Sequence, residues 1–213
     1  MRVVVPFAPG RPKTRLAPVL DEAERTAFAR TMLDDVLSVL STLDRERGVS
    51  VDPLVLSTAP IDCGVSVAVD DRPLTDAVND RLPASDGDDP VAVVMADLAL
   101  ATPDALARLF EPDADVVVAP GRGGGTNALV VRDPAFRVDY HGASVRDHRE
   151  IAREADLSLA HVDSFRLATD VDEPADLVEV LLHGEGEAPA WLAETGVSVA
   201  AADGRADVER NSG

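Results

Sequence analysis

Lysine is almost absent from this chain. Lys13 stands alone among 213 residues, and every other fixed cation is an arginine. Cysteine is as scarce: Cys63 by itself rules out an intramolecular disulfide framework, and no Cys/His spacing of the zinc type occurs. Long apolar runs are missing too. The opening "MRVVVPF" is too short for the apolar region of a signal peptide, and no stretch approaches a membrane span, so a soluble, cytoplasmic protein is expected. Several catalytic signatures are also lacking, among them G-x-x-x-x-G-K-[ST], G-x-S-x-G and H-E-x-x-H.

Acid is abundant. Twenty Lys and Arg face 39 Asp and Glu, a formal charge of −19, and the acid is spread along the chain rather than gathered in one tail. Such a surface repels nucleic acid and anionic membranes. With 46% hydrophobic residues the charge does not signal disorder. An acidic, nearly lysine-free folded chain fits a proteome in concentrated salt, where carboxylates hold water and cations and the salt screens their repulsion.

Short apolar runs alternate with helical patterns. Residues 2–5, 53–57, 65–69, 91–95, 115–119 and 127–131 read as strands, mostly without polar alternation, as expected of strands covered on both faces of a mostly parallel sheet. Residues 21–43 read as a helix with Asp21 and Glu24 as a capping box and Phe28, Met32, Leu33, Val36, Leu37 and Leu40 on one face. Shorter helices are expected near 74–82, 103–111, 144–155 and 174–183. The alternation predicts a doubly wound α/β domain over 1–184. Residues 185–213 are small, polar and acidic, and read as a loosely attached or disordered tail, with Trp191 available to dock part of it.

Four stretches hold residues fit for chemistry. In "PFAPGRPKTRL", a Gly/Pro loop with Gly10, Arg11, Lys13 and Arg15 follows the first strand, at the sheet edge where such folds bind ligands. Backbone N–H groups there suit phosphates, and lysine is a compact charge for a β- or γ-phosphate; a plain surface turn is the alternative. In "VAVVMADLALATP", Asp97 follows a buried strand and could hold Mg²⁺ against a phosphate, or cap a turn. In "RLATDVDEPADL", Asp170 and Asp172 are two apart in an extended segment, so both can face one cation or a pair of cations; Asp172 is also a good N-cap. In "APGRGGGTNALVV…YHGAS", three glycines, Thr126 and Ser144 at a helix start suit an anion, or form a mobile loop and a cap. His148 reads as a structural or solvated residue on a helix surface. The layout suits nucleotidyl transfer onto an anionic acceptor, since a phosphate nucleophile is already ionised and needs no catalytic His or Ser.

Taken in order, "PFAPGRPKTRL", "LTDAVN", "MADLAL", "GGGTNALVV", "YHGAS…RDH" and "FRLATDVDEPADL" resemble the 2-phospho-L-lactate guanylyltransferase (CofC) family of coenzyme F420 biosynthesis, in its haloarchaeal form, over residues 1–183. The resemblance implies a Rossmann-like three-layer α/β/α sandwich of the MobA-like nucleotidyltransferase type. It implies GTP and a three-carbon phosphate acid, 2-phospho-L-lactate or phosphoenolpyruvate, as substrates, and Mg²⁺ as cofactor. It places Asp97, Asp170 and Asp172 on the metal, Lys13 and Arg15 on the GTP phosphates, and Thr126, Ser144 and the Gly142 backbone on the acceptor. Asn79 in "PLTDAVND" becomes a nucleotide contact, and a homodimer is expected. One departure stands out: relatives often read Gly-x-Gly-Ser where this chain has His141-Gly142-Ala143-Ser144. Another MobA-like or sugar-1-phosphate nucleotidyltransferase, or a non-catalytic nucleotide-binding protein, are the alternatives.

Overall fold

The computed structural model describes residues 1–10, 12–202 and 205–210; Arg11 lies outside the described residues. Seven strands form one sheet: β1 (Arg2–Phe7), β2 (Asp52–Ser57), β3 (Ser66–Val69), β4 (Val91–Val94), β5 (Val116–Pro120), β6 (Thr126–Val131) and β7 (Leu159–His161). Their order is β3-β2-β1-β4-β6-β5-β7. All pairings are parallel except those of β6, which runs antiparallel to both β4 and β5. The mostly parallel sheet expected from the sequence is present, and β7 is an addition to it.

Alternation along the strands explains the layers, because successive side chains leave a strand on opposite faces. Val3, Val5, Val55, Ala92, Val94, Val117 and Val130 face α1 (Glu22–Arg47) and α3 (Pro103–Phe110), meeting Leu33, Val36, Leu40, Leu106 and Leu109. Val4, Leu56, Val91, Val93, Val118 and Leu129 face the other way, onto α2 (Leu74–Asn79) and α4 (Ser144–Glu154). With both faces covered, the strands need no polar positions, and Val3, Val4 and Val5 are all fully buried. The α1 N-terminus has the anticipated capping box between Asp21 and Glu24, and the helix runs on to a left-handed Gly48.

The C-terminal stretch corrects the expectation of a loose tail. Beyond α6 (Pro174–His183), residues 187–194 form α7 (Glu187–Glu194), and β8 (Val197–Ala202) pairs with β9 (Arg205–Arg210) in an antiparallel hairpin. Residues 203–204 and 211–213 lie outside the described residues. Ala188, Leu192 and Val197 are buried in a third apolar cluster with Leu20, Phe28, Met32 and Leu177. Trp191 stacks on Phe28 with ring centroids 5.3 Å apart.

The signals that fix this segment come from far away in the chain. Both carboxylate oxygens of Asp35, on α1, accept the first N–H groups of α7, from Glu187 at 2.8 Å and Ala188 at 2.9 Å. Asp35 is therefore the cap of a helix about 150 residues later, and burial raises its carboxyl pKa. Gly186 is required beside it, since a Cβ there would stand 2.4 Å from the Asp35 carboxyl carbon. Arg210 closes the hairpin back onto Glu24 with contacts of 2.5 and 2.6 Å.

If α7 belongs to the core, Leu192→Ala should lower the unfolding free energy by roughly 3 kcal/mol. Denaturant titration in molar KCl measures this, and a loss well under 1 kcal/mol would contradict the packing described.

Candidate active site

Strand order reverses between β1 and β4. In an open α/β sheet the crevice at the carboxyl ends of two such strands is where ligands bind. Here the loop after β1 carries Ala8 to Lys13, and the loop after β4 carries Met95 to Asp97. The segment before α6 joins them, with the Val171 N–H donating to the Asp97 carbonyl at 3.2 Å. A cleft of about 250 Å³ opens among Phe7, Pro12, Lys13, Met95, Asp97 and Asp172. An adjoining hollow of similar size shares Pro6, Phe7, Ala8 and Met95 with it and is otherwise lined by Leu56, Leu74, Ala77 and the polar Thr58, Asp70 and Arg72.

The lone lysine sits at the centre of the cleft. Its ammonium is 2.5 Å from Asp97 Oδ2 and 2.9 Å from Asp172 Oδ1, with only 12% of the side chain exposed. Burial alone would disfavour the ammonium, yet Asp97 and Asp172 together outweigh it and raise its pKa. Lys13 has φ +53°, a left-handed conformation that a non-glycine residue rarely adopts. Asp170 stands on the same segment and accepts from Asn127 Nδ2 at 3.0 Å. Burial raises its pKa, and the charges of Asp97 and Asp172 add to the shift.

Among the described residues, no three of His, Cys, Asp and Glu are grouped as a ready metal cage; Asp97 and Asp172 converge on the ammonium instead. The donor set nevertheless fits a hard divalent cation. Two carboxylates already bind one cation, a third is close enough to feel their charge, and Asp97 Oδ1 is buried with no partner among the described residues.

The second half of the site lies around β6 and α4. The glycine stretch closes on itself through Gly121 N–H to the Gly125 carbonyl (2.8 Å) and rests on α4 through Val145 N–H to the Gly124 carbonyl (3.2 Å). Gly121 is required, since a Cβ would meet Asn127 Oδ1 at 2.5 Å. Thr126 and Ser144 come together, with the Ser144 hydroxyl 3.3 Å from Thr126 Oγ1, and Gly142 stands two residues before Ser144 at φ +46°. His141 is exposed and pairs with Asp139.

His148 is not on a helix surface, as expected from sequence, but fully buried behind Thr126. Its Nε2 accepts the Asp139 N–H at 3.0 Å, which leaves the proton on Nδ1, 2.9 Å from Thr126 Oγ1. Burial lowers its pKa to about 4, so the ring is neutral near pH 7. Arg15 is exposed and 3.8 Å from Glu173, Gly10 has open space where a Cβ would go, and Asn79 spends both ends of its amide on the Val138 backbone. As placed, Asn79 ties α2 to the segment before α4.

Sequence reasoning gave no role to Asn127, His148, Arg122 or Asp176. Asn127 donates to both Asp170 and the Leu167 carbonyl, and Arg122 donates to Asp176 at 2.6 Å. Of these, only Asp176 had a local signal, three residues after Glu173 at a helix start.

Sheet, switch-point cleft, lysine–carboxylate cluster and glycine loop together define a fold of the nucleotidyltransferase class. Solved structures with this fold include one described as a "putative nucleotide-diphospho-sugar transferase" from Desulfovibrio desulfuricans G20 (18% identity, TM-score 0.73, covering 91% of this chain and 94% of that one). A nucleotidyl transferase from Methanothermobacter matches at TM-score 0.56 and 16% identity, over 85% of this chain and 96% of that one. The model of the family described as "Guanylyl transferase CofC like" matches residues 1–211, and the chain belongs to that family. The match extends past residue 183, where the sequence resemblance stopped, and takes in α7 and the hairpin. Relatives named 2-phospho-L-lactate guanylyltransferase include those of Halomicrobium mukohataei, 65% identical over 99% of this chain and 100% of that one, and Haloferax volcanii, 61% identical over 99% and 98%.

The buried imidazole makes stability depend on pH in a defined window. Its folded value of about 4 lies below the ordinary 6.5, so between those values only the unfolded chain takes up the proton. Acidification from pH 7 to 4 should therefore cost the wild type roughly 3 kcal/mol more than His148→Gln, compared by denaturant melts at each pH. A difference between the two that does not change with pH would show that His148 is not held neutral.

Proposed function

We propose that the chain transfers a guanylyl group from GTP to 2-phospho-L-lactate or phosphoenolpyruvate, releasing pyrophosphate. The observation that carries this reading is the convergence of Lys13, Asp97 and Asp172 at the switch-point cleft of a chain that belongs to the CofC-like family. An oxygen of the acceptor's phosphate forms a bond to the α-phosphorus of GTP, and the bond from that phosphorus to the bridging β-oxygen breaks. The nucleophile is already an anion near pH 7, so the residues need only bring two anions together and neutralise the leaving group.

Thr126, Ser144 and the Gly142 backbone hold the acceptor's phosphate and carboxylate. His148 fixes the Thr126 hydroxyl by donating to its oxygen, leaving the threonine proton to an acceptor oxygen. Asp97, Asp170 and Asp172 hold Mg²⁺, which when bound supplies charge to polarise the phosphate being transferred. With a cation on those carboxylates, the Lys13 ammonium would be free to neutralise the pyrophosphate, with Arg15 also on the GTP phosphates. The apolar hollow next to the cleft takes the base. The −19 charge and single lysine support work in a salt-rich cytoplasm, and the assembly proposed is a homodimer.

The test is pyrophosphate release in molar KCl with Mg²⁺ and GTP, each acceptor offered separately and the product weighed by mass spectrometry. A guanylylated acceptor is expected with at least one of them. Silence with both, from folded protein that still binds GTP, would sink the reading and favour a sugar-phosphate acceptor or a non-catalytic nucleotide-binding role.

A further inference from the structure

Asp176, in the first turn of α6, is 9% exposed, and its two oxygens serve different parts of the molecule. Oδ2 accepts the N–H of Asp172 at 2.9 Å and of Glu173 at 2.8 Å. Oδ1 accepts Arg122 Nη2 at 2.6 Å. Helix capping accounts for the bond from Glu173. It does not account for the others: Asp172 lies before the helix, and Arg122 comes from the glycine loop, 54 residues earlier. Arg122 is also anchored by its own backbone, whose N–H donates to the Ala168 carbonyl at 2.9 Å, two residues before Asp170.

We propose that Asp176 is a positioning residue: it sets the backbone of Asp172 and, through Arg122, holds the Gly121–Gly125 loop in register with it. Asn127 makes the parallel tie from β6, donating to Asp170 from the position after Thr126. The carboxylate segment 170–172 and the loop leading to Thr126 thus move as one unit, and the spacing between acceptor and transferred phosphate is fixed by a residue that touches neither. This rests on the functional reading given above.

Arg122→Gln cuts the loop tether while leaving the bonds to Asp172 and Glu173. Asp176→Asn keeps the shape, but its amide cannot accept from both the arginine and the backbone pair. Hydrogen exchange followed by mass spectrometry, on peptides covering 121–126 and 170–173, reads both tethers without any turnover. Arg122→Gln should speed exchange in the first peptide only, by about tenfold, the scale of one lost hydrogen bond to a charged group. Asp176→Asn should speed exchange in both. In steady-state kinetics both variants should raise the acceptor KM about tenfold and move the GTP KM less than twofold. The double variant should be no worse in acceptor KM than Asp176→Asn, because the Arg122 side chain reaches the carboxylate segment through Asp176. Arg122→Lys should recover part of the loss. Unchanged exchange in 121–126 in both single variants, or KM effects that multiply in the double variant, would overturn the proposal. A wild type without guanylyl transfer would refute the functional reading instead, and exchange would still decide the role of Asp176.

Discussion

An ammonium buried beside carboxylates is stable only while it keeps an opposite charge next to it. Taking both carboxylates away would leave an uncompensated charge out of water, at a cost of several kcal/mol. Lys13 is in that position with Asp97 and Asp172, and much else in the molecule exists to keep it there. The loop after β1 accepts a left-handed residue at Lys13, Asp97 is delivered by the end of the fully buried β4, and Asp172 is pinned by Asp176. With Asp170 beside it the cluster holds, among the described residues, three carboxyl groups and one ammonium.

The second half of the protein brings the glycine loop, Thr126 and Asn127 to the same edge of the sheet as this cluster. β6 runs opposite to its neighbours, so its amino end, with Thr126 and Asn127, lies at the sheet edge where the parallel strands end. A single antiparallel strand therefore brings the glycine loop to the same edge as Lys13. His148, neutral and buried, completes the arrangement from below by holding the Thr126 oxygen. The C-terminal helix and hairpin do not enter the cleft; they cover Phe28 and Met32 on α1, the helix that follows the Lys13 loop.

Much of this was legible in the sequence. The unbroken valine runs revealed strands covered on both faces, and the rarity of lysine pointed to Lys13. Asp97 was visible as a carboxylate after a buried strand, and Asp170 and Asp172 as two carboxylates two apart in an extended segment before a helix. The rest was hidden for physical reasons. Strand direction at β6 leaves no trace in a run that is apolar throughout. The cap of α7 is Asp35, so no local pattern marks that helix. His148 was left open between a structural and a solvated residue because its helix is mostly polar, whereas Phe136 and Tyr140, from the preceding loop, cover it at ring distances of 5.8 and 5.4 Å. Asn79 sat in the right region but spends its amide on Val138.

The central claim is that Lys13 and a divalent cation compete for the same two carboxylates. Mn²⁺ binding, followed by electron paramagnetic resonance without nucleotide, tests it most directly in the wild type and in Lys13→Gln. Removing the ammonium frees Asp97 and Asp172, so the variant should bind Mn²⁺ at least about tenfold more tightly. Equal or weaker binding by the variant would contradict the account.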